Sequence, residues 1–112
     1  MTKKKYNGWT NYETWVVNLW MGNDQGSQTF WDEVTKDVLQ NAEKDKTFSK
    51  EERARIDLSV TLKEHFDDNV PGDTTLGYSG VYADLLNGAL SEVNWHEIAG
   101  HLIEATVETV PA

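Results

Sequence analysis

The chain of 112 residues, 38% hydrophobic and 26% charged with only two prolines, has the size and composition of one globular domain. Lacking cysteine altogether, it has no means of forming disulfides, Cys-bound zinc, iron–sulfur clusters or a thiol nucleophile. The net charge of −9 falls entirely on the second half. Residues 1–63 carry ten Lys/Arg and ten Asp/Glu, whereas residues 64–112 carry Glu64, Asp67, Asp68, Asp73, Asp84, Glu92, Glu97, Glu104 and Glu108 with no Lys or Arg.

Such a field repels nucleic-acid phosphates and favours a basic partner, a cation, or solubility alone. The N-terminus is Lys-rich (Lys3, Lys4, Lys5), yet no apolar stretch of signal-peptide length follows it. No segment approaches the roughly 20 apolar residues of a membrane span. A cytoplasmic protein without a membrane partner is expected, with residues 1–9 as a Lys-rich arm, 10–106 as one helical domain and 107–112 as a fraying tail.

Helical periodicity dominates from residue 10. Thr10 and Glu13 have the spacing of a capping box, and Tyr12, Trp15, Val16, Leu19 and Trp20 then form one apolar stripe before Gly22. Residues 23–27 carry turn chemistry, with Asp24 or Ser27 as the next cap. The second helix directs Phe30, Trp31, Val34, Val38 and Ala42 inward. Ser49 and Glu52 make another capping box, opening a helix that runs to about Asn69 and stops at Val70-Pro71, with Ile56, Val60, Leu62 and Phe66 buried.

Residues 71–79 form the longest loop. From Gly80 the pattern Val81, Tyr82, Leu85, Leu86, Ala89, Leu90 is again helical, and Asn94 with Glu97 caps a last helix that buries Trp95, Ile98, Ala99, Leu102 and Ile103. Val93 and Ile98 have the spacing of a hydrophobic staple. With no sustained period-two alternation, the expected fold is all-α, a compact bundle of about five helices.

No catalytic constellation emerges. His96 and His101 sit five apart, about 140° around a helix, so they cannot share one metal as the zinc-protease helix requires. No phosphate loop and no nucleophile elbow is present. The chain is therefore expected to be no enzyme, with no catalytic residue, no metal and no cofactor. Asp67, Asp68 and Asp73 gather carboxylates at the acidic end of a helix, where negative charge opposes the dipole, and this marks them as candidates for a cation or a basic partner. Trp9, Tyr12, Trp15, Trp20 and Trp31 concentrate aromatics in the first 31 residues, close to Lys3, Lys4 and Lys5. A small core without disulfides draws its burial from such side chains, and rings left over can stack on bases.

The run Asn11-Tyr12-Glu13-Thr14-Trp15, with Leu19-Trp20 and Asn23-Asp24, resembles a group of small proteins of bacteriophages, plasmids and bacterial genomes marked by an Asn-Tyr-Glu-Thr-Trp opening. Residues 83–87 and 93–99 are similar to the closing segment of the same group, so the resemblance covers roughly residues 8–30 and 80–104. It implies a mobile-element accessory protein and assigns no catalytic residue. Asn11, Tyr12, Glu13, Trp15, Asn23 and Asp24, alongside Asp67, Asp68 and Asp73, are the candidate partner-binding set.

The expected function is that of an acidic binding protein docking on a basic host protein, including as a DNA-mimicking inhibitor of a nuclease or defence protein. The alternative is nucleic-acid binding through the Lys-rich arm and exposed aromatics, and a small enzyme of unknown class is the third option. Self-association through a Trp-bearing face is compatible with each.

Overall fold

The short polar side chains of Asn11, Asp24, Ser49 and Asn94 each set the start of a helix. In the computed structural model, which describes residues 5–43, 46–69 and 81–109, Asn11 is extended and its side chain accepts from the Thr14 amide to open α1 (Tyr12–Asn23). The cap is thus Asn11 and not the expected Thr10–Glu13 box. Asp24 closes α1 with its backbone and opens α2 (Gln25–Asn41) with its carboxylate, which accepts from the Ser27 amide at 2.9 Å. The Ser49–Glu52 capping box forms as expected and opens α3 (Lys50–Asp68). Next come α4 (Val81–Ser91) and α5 (Trp95–Thr109), the latter capped by Asn94 through the Glu97 amide.

These five helices make an all-α bundle, with no strand among the described residues. The expected stop at Val70-Pro71, the loop at 71–79 and Asp73 lie outside the described residues.

α3 packs most extensively on α5, and α2 lies across both. Ala54, Leu58 and Leu62, spaced by four, bury one face of α3 against Ile98, Ala99 and Ile103. Trp31, Phe66 and Trp95 stack in a column, with ring centroids 6.0 and 5.3 Å apart, that ties α2, α3 and α5 together. Val93 and Ile98 are both buried, as the staple requires.

Three expected faces turn out differently. On α1 the buried residues are Thr14 and Met21, with Val17 packed beside them, while Tyr12 is exposed and Trp20 is 68% exposed. Apolar side chains surround α1, so periodicity alone does not choose a side. On α2 the expected inward set holds except for Phe30, which is exposed. On α3 Val60 is exposed and Ile56 only half-buried, because the stripe through Ala54, Leu58, Leu62 and Phe66 faces the neighbours.

α4 departs most. It touches the bundle lightly, against α3, and contains no buried residue; only Ala83 and Leu90 are partly covered.

Candidate functional site

The Asn-Tyr-Glu-Thr run and the start of α5 interlock through their caps. Asn11 Oδ1 accepts from the Thr14 amide at 2.9 Å and from the Thr14 hydroxyl at 2.6 Å. The Asn11 amide group donates to the Glu92 carbonyl at 2.6 Å, and the Asn94 backbone amide donates to Thr14 Oγ1 at 2.9 Å. Asn94 Nδ2 donates to the Thr10 hydroxyl at 3.1 Å, and the Thr10 amide donates to Glu97 Oε1 at 3.0 Å. Each cap therefore satisfies an orphan amide of its own helix and also reaches across: Asn94 to Thr14 on α1, and Asn11 to Glu92 in the turn that leads into α5. Thr14 is fully buried at the centre.

This assigns the candidate residues different roles. Asn11 is a cap and an inter-helix clamp. Glu13, expected to reach back to the Thr10 amide, does not, because that amide is taken by Glu97. Asn23 ends α1, and Asp24 caps α2, where hydrogen bonds from the Ser27 backbone and then its side chain hold the Asp24 carboxyl below its ordinary value. Tyr12 and Trp15 join Tyr6 in a surface cluster, with centroids 5.1 to 5.8 Å apart. Tyr6 is delivered there by a tight turn at Asn7 (φ 48°) and Gly8 (φ 88°), closed by reciprocal 2.8 Å bonds between Tyr6 and Trp9. Asn-Gly is the pair that such a left-handed turn demands.

Among the described residues, no contact brings Asp67 or Asp68 together with this group. Asp67 is held by Lys63 at 2.6 Å, one turn back on α3, while Asp68 is exposed and in no ion pair among the described residues. Among the described residues, ion pairs form only at Lys36–Asp32, Arg53–Asp57 and Lys63–Asp67. The exposed carboxylates of Glu64, Asp68, Asp84, Glu92 and Glu104 stand outside all of them.

The histidines go separate ways. His65 packs among Trp31, Phe66 and Phe30, and His101 lies edge-on to Trp9 at 5.1 Å. The His96 carbonyl accepts from Arg55 Nε at 2.9 Å, and the His96 imidazole is held below its ordinary pKa by burial first and the Arg55 charge second. Among the described residues no three His, Asp or Glu surround a common point.

Two features escaped sequence reasoning. One is the seat of Arg55: its guanidinium lies over Gly100, where a Cβ would come within 2.6 Å of Cζ, beside a cleft of about 260 Å³ that also meets Trp9, Glu97, His101 and Glu104. The other is an open cleft of about 280 Å³ between Val16, Trp20, Trp31, His65 and Phe66. Its signal in the sequence was the surplus of aromatics on α1, more than one helix face can bury.

A family model matches residues 2–107, a span that includes both interlocked segments. The chain belongs to the DUF7249 family of unknown function. No curated protein and no solved structure matches it. Since the DUF7249 match spans residues 2–107, the interlocked caps fall inside the matched region. None of the described helices is long and apolar enough to cross a membrane.

Proposed function

We propose that this DUF7249 protein is a small binding protein of the cytoplasm whose acidic second half docks on a basic partner. The observation that carries it is the segregation of charge. From residue 64 onward there is no Lys or Arg, and Glu64, Asp68, Asp84, Glu92 and Glu104 are exposed without an ion-pair partner among the described residues. Unpaired carboxylates keep their field available to a partner's cations, which speeds encounter and selects against acidic surfaces. The finer form is a phage- or plasmid-type accessory factor that occupies the nucleic-acid surface of a host nuclease or defence protein.

The test is capture from a bacterial lysate at low and high salt, after nuclease treatment. A basic protein is expected to be retained at low salt, released at high salt and lost when Asp68, Asp84 and Glu92 are changed to Lys. Retention by that triple variant would overturn the electrostatic reading.

The ring cluster of exposed Tyr6 and Tyr12 with half-buried Trp15, next to Lys5, favours nucleic-acid binding as the second reading. It predicts salt-sensitive binding of single-stranded oligonucleotides that disappears when residues 1–7 are deleted.

A further inference from the structure

α4 is an amphipathic helix with its apolar stripe turned outward. At 100° per residue, Val81, Leu85, Ala89, Tyr82 and Leu86 share an arc of about 140°, wide enough for a core-facing stripe. Yet Val81 is 70% and Leu85 65% exposed, and only Leu90 and Ala83, at one border of that arc, are partly covered. An isolated helix of 11 residues with Gly88 in its interior is marginal in water, and its helical state ordinarily depends on packing of the apolar face.

Charge decides between the possible occupants. Asp84 borders the stripe on the other side, Glu92 follows the helix end, and both are exposed and in no ion pair among the described residues. Every formal charge from residue 64 to 112 is negative, so a second copy laid on α4 through the same face brings acid against acid. A segment with an apolar stripe and a Lys/Arg border meets both requirements at once.

We propose that the exposed stripe of α4 is the docking face for a basic amphipathic helix of a partner protein. This rests on the acidic-docking reading above and specifies its contact surface. The partner's leucine-type side chains cover Val81, Leu85 and Ala89, and its cations meet Asp84 and Glu92, in the helix-on-helix mode of peptide recognition.

The test uses the full chain and dye-labelled 14-residue peptides read by fluorescence anisotropy: one with Leu at helical spacing and Lys elsewhere, and one with Glu in place of Lys. Polylysine serves as a basic probe without an apolar face. The Leu/Lys peptide is expected to bind and the Leu/Glu peptide not to. Leu85→Gln and Val81→Gln should each weaken the Leu/Lys peptide by about tenfold or more, given the transfer free energy of one such side chain. Val107→Gln, an exposed apolar position on α5, should leave it unchanged.

Equal binding by the α4 variants and the wild type overturns the proposal. Binding of polylysine with no preference for the Leu/Lys peptide also overturns it and leaves the acidic reading standing. Failure to bind either cationic probe sinks both. A wild-type dimer in sedimentation equilibrium that Leu85→Gln dissociates would make the occupant a second copy and overturn the proposal. Because the substituted side chains are exposed, unchanged far-ultraviolet circular dichroism of each variant is the control for folding.

Discussion

The backbone amide of Asn94 donates to the hydroxyl of Thr14 at 2.9 Å across 80 residues of chain, and Thr14 is completely buried. Replacing Thr14 by Val preserves shape and removes the hydroxyl, leaving the Asn94 backbone amide and Asn11 Oδ1 each short of one bond. The expected cost is about 1–3 kcal/mol in urea unfolding. Thr14→Ser keeps the hydroxyl and should lose only about 0.8 kcal/mol for the methyl group. Equal effects of the two variants would show that packing, and not the interlock, makes Thr14 matter.

Gly100 and Arg55 form a coupled pair. Gly100→Ala should gain helix propensity of about 1 kcal/mol but must push the guanidinium away, weakening its bond to the His96 carbonyl. In the wild-type background the gain is cancelled or reversed. After Arg55→Ala the same change should stabilise by about 1 kcal/mol. A double-mutant cycle in urea measures the difference, and strict additivity would mean that the contact has no energetic consequence.

The five tryptophans differ sharply in weight. Trp31, 3% exposed in the aromatic column, should cost about 3–5 kcal/mol when replaced by Ala. Trp20→Ala should change stability by no more than about 0.5 kcal/mol, since most of the ring is already in water. Equal costs would place Trp20 inside a packed site.

The imidazole of His96 contributes a pH dependence of definite sign. Burial and the Arg55 charge lower its folded pKa, whereas the unfolded chain takes up the proton near 6.5. Below that value the unfolded state binds more protons, so stability falls as pH drops through 6.5 until the folded pKa is passed. The melting temperature of the wild type should fall between pH 7.5 and 5.5 by more than that of His96→Asn. Parallel curves for the two proteins would remove His96 as the cause.

Much of the architecture was legible because it is written locally. Ser49 with Glu52, Asp24 before α2 and Asn94 before α5 each act within one turn, and the structure uses all three as caps. The α5 face through Ile98, Ala99 and Ile103 was equally readable, since its apolar residues recur at one period and its outer positions are polar. The cap of α1 was misassigned by one residue because Thr10 and Asn11 are both good caps, and the choice fell to distant groups: Glu97 takes the Thr10 amide and Glu92 the Asn11 side chain.

The sequence by itself determined the all-α class, the helix starts at Ser49 and Asn94, the lack of thiol chemistry and the segregation of negative charge after residue 63. Only the tertiary structure decided which sides of α1 and α3 are buried, because both helices offer more than one apolar face and the neighbouring helices select among them. It also decided that Asn11 clamps two helices, that Arg55 needs a glycine beneath it, and that the stripe of α4 faces outward. These are relations between residues tens of positions apart, fixed by packing geometry and by the need to satisfy buried polar groups, and no local spacing encodes them.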